Sequence, residues 1–332
     1  MQILQKTLSL LIFSILVLPA VQFQKVSAQT LQESNAVMFR EMQAARGLSK
    51  SEMTKIQNIF AGSSFIGQGN PAISEHPLNK VEIIQQMGGD PTKLYRNRKF
   101  EKICGEKYMA PLYDPATQTL KDAQVCVDMF EYPNVPGLYP VVWVRANEAA
   151  KLCWAEGKRI GDAHEWEGAS HGALTKPDYF FDLSIKSARS AHNTKYKPTA
   201  RYSIGSNWQS AVCATGSFKN ASCNGGSFKG CGSNTYPAGS FPKCKSNLGV
   251  YDLDGNAAEH MNLPLSPDQM ASRGSTTLGS TEMKGSWFIW DEIRAHSHWS
   301  RWRAPFWHGT KVLASNSHRN YHLGFRCFKD IK

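Results

Sequence analysis

The stretch from Lys284 to Gly309, KGSWFIWDEIRAHSHWSRWRAPFWHG, gathers five of the chain's nine tryptophans with three histidines and three arginines. Two chemistries follow from those residue types. Trp290, Trp299, Trp302 and Trp307 interleave with Arg294, Arg301, Arg303 and His308. Aromatic faces beside fixed cations suit sugar rings, peptides and anionic groups, so these eight residues are the expected ligand-binding surface. His296 and His298, with His308, His318 and His322, could instead assemble a metal site. Alternate residues face the same way only in an extended chain, which nothing in the local sequence dictates. A second constellation lies in GVYDLDGNAAEHMN at 249–262. There Gly255 permits a tight turn, and Asn256 and Glu259 supply an amide oxygen and a carboxylate, hard donors that suit calcium.

The elements that must position these residues begin after an export signal. MQILQK carries a lysine, LSLLIFSILVLPAV is an apolar run, and Val26 and Ala28 form a small-x-small site. This order describes a signal peptide over 1–28, and its apolar run is shorter than the roughly 20 residues that span a bilayer. No later stretch is long and apolar enough to span one, so the expected product is exported, periplasmic or secreted, with no transmembrane segment after cleavage. Loss of Lys6 and Lys25 would take the formal charge from +11 to +9. Such a surplus points to polyanions such as acidic glycans or lipid head groups, although a solvated basic surface gives the same count. No basic run or binding motif accompanies it, so nucleic acid is not an expected partner.

Residues 31–60 carry apolar positions at helical spacing, with Gly47 as a stop and Ser49 with Glu52 as a capping box, which predicts a helical hairpin. From 61 to about 100 glycine, proline and asparagine break the periodicity, which predicts mostly loop. AQVCVDMFEYP and YPVVWV are expected strands; ANEAAKLCWAEGKR and DAHEWEGASHG are expected helices. Residues 171–247 are rich in Gly, Ser, Asn and Lys and hold four of the eight cysteines. So long an irregular stretch needs cross-links or bound ions to hold it. In an exported protein the even cysteine count predicts up to four disulfides. Cys213, Cys223, Cys231 and Cys244 lack the C-x₂-C spacing that structural zinc uses. Cys104 and Cys126 flank a hairpin-like stretch and are candidates to pair.

Three blocks, in order, carry a resemblance. GKRIGDAHEWEGAS at 157–170, GVYDLDGNAAEHMN at 249–262 and NYHLGFRCFKD at 320–330 are similar to segments of the formylglycine-generating enzyme family, the sulfatase-modifying factors. The resemblance covers about 126–330. It implies an α+β, loop-rich, disulfide-bonded variant of the C-type-lectin-like fold at 101–332, preceded by a helical extension and loop at 29–100. It also implies a disulfide between Cys153 and Cys327, whose loop closure would be worth roughly 4–5 kcal/mol by chain entropy. The four central cysteines then pair in one of three ways. Calcium ligands in the family map onto Asn256 and Glu259. A second family calcium site uses an aspartate where this chain has Gly239, so that site is expected to be lost. Family enzymes oxidise a substrate cysteine with two copper-binding thiols, and the matching positions here are Ile289 and Arg294, neither of them a soft ligand for copper(I).

The implied function is an exported member without formylglycine-generating chemistry. It would act as an accessory or maturation factor that binds a protein, peptide or glycan, anionic ligands included, through the Trp/Arg/His-rich C-terminal surface. The alternative is a periplasmic oxidoreductase with a replaced, His-based site at His296 and His298, as in the pyoverdine-maturation member of the superfamily. Calcium is the expected cofactor and a redox metal is not.

Overall fold

Local capping organises the start of the chain. Thr30 Oγ1 accepts the Glu33 N–H while the Glu33 carboxylate accepts the Thr30 N–H, and Ser49 and Glu52 repeat the exchange. These boxes begin α1 (Leu31–Arg46) and α2 (Lys50–Ala61), and Gly47 ends the first in the left-handed conformation. The hairpin is part of the main core. Met38, Met42, Met53, Ile56 and Phe60 pack with Val144, Leu152 and Phe325. Arg46 also donates to Glu156 and to the Pro133 carbonyl. The computed structural model describes residues 30–331 except 71–72, 75, 77, 79, 210, 220–222, 224–227, 231–233, 290–298 and 305–308. The expected signal peptide therefore lies outside the described residues.

Between 61 and 104 the chain is more helical than its sequence predicts. It forms α3 (Lys80–Met87), α4 (Pro91–Leu94) and α5 (Arg98–Cys104). Asn97, one of the asparagines that break the periodicity, caps a helix by accepting the Lys99 and Phe100 N–H groups, and Asp90 caps another by accepting that of Thr92. After α6 (Ala146–Ala155) and α7 (Ala163–His171), both expected, a further helix α8 (Ile185–Tyr196) crosses the stretch predicted to be irregular. Its buried residues are Ala188, Arg189 and His192, so no apolar period marks it. YPVVWV is not a ladder strand. Val142 makes one bridge to Gly67, and Trp143 turns out of the extended region at φ 59°.

Two small sheets hold the domain. The first, in order β1-β2-β7-β3, is antiparallel: β1 (Met109–Leu112), β2 (Val125–Asp128), β7 (Cys327–Asp330) and β3 (Arg159–Ile160). The second pairs β4 (Ala258–Leu263) antiparallel with β5 (Ser280–Lys284) and parallel with β6 (Leu323–Gly324). One short run, 323–330, thus serves both sheets. Disulfides bind Cys104 to Cys126, Cys153 to Cys327 and Cys213 to Cys244. Cys153–Cys327 ties α6 to β7. Cys213–Cys244 closes the irregular segment, where regular ladders are scarce. Cys223 is disulfide-bonded as well.

Candidate functional site

Past Lys284, Gly285 turns the chain off β5 at φ 73°, with Trp166 Cζ2 and the Leu253 carbonyl 3.1 Å from where a Cβ would sit. A side chain would clash, so glycine sets the exit direction of the segment that follows. The chain then runs along the 211–219 loop, Ser217 N–H donating to the Phe288 carbonyl at 2.9 Å and Ile289 bridging Gly216. This route places Trp287 against the C-terminal block. Its ring lies 4.3 Å from His322 and 5.7 Å from Tyr321.

From there a row of rings continues across three chain segments. Tyr321 meets Trp143 at 6.0 Å, and Trp143 meets Phe65 at 6.3 Å. Cations sit on the row: Lys219 lies 5.4 Å over the Tyr321 ring and the Arg319 guanidinium 3.4 Å over Phe65. Trp143 is in left-handed backbone geometry, which costs on the order of 1–3 kcal/mol for a bulky residue and persists only where its surroundings enforce it. Here the Trp143 N–H donates to the Asn320 carbonyl at 2.9 Å, and its neighbour Val142 is held by Gly67. Next to the row opens a polar cleft of about 540 Å³, lined by Asn58, Ser63, Arg145, Asn147, Lys151 and Arg319. Burial and the neighbouring Arg145 both press the Arg319 cation below its ordinary pKa. Glu148, which also lines the cleft, offsets part of that repulsion.

The residues expected to form the groove are only partly described. Trp290, Arg294, His296, His298, Trp307 and His308 lie outside the described residues. Trp299 and Trp302 are half-buried, the latter against Ala258, Met283, Ala304 and Leu323. Arg301 is largely covered, its guanidinium 4.8 Å over Tyr196. Arg303 is inside the protein: its Nε donates to Glu167 at 3.0 Å and its guanidinium lies 4.8 Å over Tyr179. Sequence alone could not separate it from Arg301, two residues away, because nothing local marks Glu167 as its partner.

Asn256 and Glu259 come to the same buried region, in other roles. Asn256 clamps Tyr236, its Oδ1 accepting the backbone N–H and its Nδ2 donating to the carbonyl. Glu259 accepts two bonds of 2.7 Å from Arg326 and one of 3.0 Å from the Trp166 indole. A calcium ion on Glu259 would face that guanidinium at close range, so the two residues as placed do not fit the metal. Among the described residues no group of three His, Cys, Asp or Glu is placed to hold a metal ion. Gly239 has φ 78°, and a Cβ there would lie 2.9 Å from Tyr95 Cε2 and 3.1 Å from Phe130 Cε1. An aspartate has no room at that position. Sequence reasoning passed over the buried carboxyls around Arg326. Burial and nearby carboxylates push Glu131 well above its ordinary value, and burial pushes Asp252 up to about 7.

The family model of the sulfatase-modifying factor enzyme 1-like domain matches residues 97–331, more than half of the chain. The chain belongs to that family. Its α+β, loop-rich, disulfide-bonded architecture is the C-type-lectin-like fold of this sulfatase-modifying factor domain. A search of curated proteins finds no match to the chain. Within the domain the three sequence blocks acquire physical roles. Glu165 of the first is held by Arg159, Glu259 of the second by Arg326 of the third, and Cys327 by Cys153. Every described cysteine is in a disulfide.

Proposed function

We propose that this sulfatase-modifying factor domain is an exported binding protein without formylglycine-generating chemistry, and that its ligand is an anionic glycan. The observation that carries the reading is the row Phe65–Trp143–Tyr321–Trp287 with Arg319 and Lys219 over its rings and the Arg145, Lys151 and Arg319 cleft alongside. Aromatic ring faces take the apolar faces of sugars, and the guanidinium and ammonium groups take carboxylate or sulfate substituents. Export is supported by the leader-like first residues and by the disulfides. A row of several rings also suits a repeating ligand better than a single small molecule. The oxidoreductase reading rests on His296 and His298, outside the described residues, and no contact in the described part favours it.

Titration calorimetry with a uronic-acid hexasaccharide and with its neutral counterpart tests the reading. Saturable binding of the acidic sugar, weakened at least tenfold in Tyr321→Ala and in Arg319→Ala, is the expected result. Equal binding of the neutral sugar, or no effect of either substitution, would sink it.

A further inference from the structure

Between α8 and the end of β4 lies a second cavity of about 210 Å³. Its wall is apolar: Phe181, Leu183, Ile185, Leu263, Pro264 and Leu265. Phe181, Leu183 and Leu265 are also exposed at its mouth. Two arginines line the same cavity, Arg189 from α8 and Arg303. Their side chains are 4 % and 1 % exposed. Arg189 reaches Glu282 at 2.7 Å and the Thr281 carbonyl at 3.2 Å through Nη2, while its Nε and Nη1 have no hydrogen-bond partner. Arg303 holds Glu167 through Nε and the Asp178 carbonyl through Nη1, and its Nη2 has no hydrogen-bond partner. Buried guanidinium N–H groups left this way are uncommon, because each forfeits the water it held when unfolded.

The surrounding charges give only partial relief. Arg189, Lys284 and Arg303 face two buried carboxylates, Glu167 and Glu282. Glu167 is shared between Lys284 and Arg303, and His192 is 3.5 Å from it. Asp178 is engaged by Lys195 at 2.8 Å and by His192 at 3.1 Å, and its Oδ1 lies 3.7 Å from Arg303 Nη2, too far for a hydrogen bond. With Lys195 counted beside Asp178, four cations face three carboxylates, the unpaired donors belong to residues that line a cavity, and the cavity wall is apolar.

The geometry points to a binding site for a small carboxylate with an apolar tail, its head between Arg189 and Arg303 and its tail along Phe181, Leu183 and Leu265. Cavities of about 150 Å³ hold a benzene ring, so the space suits a ring or a short acyl chain and excludes a long lipid. The site is separate from the aromatic row, so its failure would leave the glycan reading untouched.

Calorimetric titration of the protein with octanoate, octanol and acetate tests it. Octanoate should bind one to one, and at least tenfold more tightly than octanol, since charge-assisted hydrogen bonds are worth roughly 1.5–3 kcal/mol. Acetate, with the charge and no tail, should not saturate. Leu265→Asp, at the exposed mouth, should lose octanoate binding at least tenfold with an unchanged melting temperature. Octanol as tight as octanoate, an unaffected Leu265→Asp variant, or no octanoate binding at millimolar concentration would each overturn the assignment.

Discussion

Two buried charge clusters in this domain have opposite imbalances. Around Arg326, one guanidinium meets the Glu259 carboxylate directly and feels Glu131 and Asp252 nearby. Around Glu167, four cations, Lys195 included, share three carboxylates: Glu167, Glu282 and the less buried Asp178. The first cluster has too many acids, and acids in low dielectric can solve that by taking up protons. Glu131 and Asp252 are both pushed upward by burial, and every Arg326 nitrogen has an acceptor: Glu259, the carbonyls of Asp128 and Met129, or that of Tyr251. The second cluster has too many cations, and guanidinium cannot shed its proton at ordinary pH. Burial presses the Lys284 ammonium downward instead. What the fold does not neutralise there opens onto a cavity. Surplus acid is thus a closed structural matter, whereas surplus guanidinium calls for an anion from outside.

The largest test of that contrast is Arg326→Met. It leaves Glu259 buried among other carboxyls, and breaking such a pair costs about 3–5 kcal/mol, read as a lower urea midpoint. Arg189→Met should cost less than half as much, about 1–2 kcal/mol, by the same measurement. Glu282 keeps the Ala304 N–H, and the variant removes a cation already in excess. Equal losses in the two variants would break the comparison.

Asp252→Asn sharpens it through pH. The folded carboxyl is raised from 3.8 to about 7, so its stabilising contribution is complete below the ordinary value and is lost as pH rises through the folded one. The asparagine variant stays neutral throughout. Its melting temperature relative to the parent should therefore climb between about pH 4 and pH 7, by the equivalent of at most roughly 4 kcal/mol. A constant difference would show that Asp252 does not titrate in that window. Lys195→Ala should have the smallest effect. Its ammonium is half-exposed on Asp178, and such a pair is worth under about 0.5 kcal/mol.

Recognition in the sequence was uneven for physical reasons. Capping boxes at Thr30 and Ser49 are local and legible, as are the three motif blocks, because their residues lie within a few positions of one another. Helix α8 was missed since its inward face carries Arg189 and His192 and not an apolar stripe. The stretch 61–100 reads as loop because asparagine, Asn97 included, favours turns as readily as helix caps. The binding surface was sought in one tryptophan-rich run. The aromatic row instead combines Phe65, Trp143, Trp287 and Tyr321, which no spacing rule connects.

By itself the sequence determined the family, through three ordered blocks, and the fold class that comes with it. It also set the glycine at 239, where Tyr95 and Phe130 leave no room for a side chain. Only the tertiary structure decided that Cys213 pairs with Cys244, that Arg303 goes inward to Glu167, and that Glu259 belongs to Arg326. Each of those choices is made between groups far apart in the chain. Burial raises the energy of every unpaired charge at once, so partners are settled by which arrangement neutralises the whole core, and no local pattern records that sum.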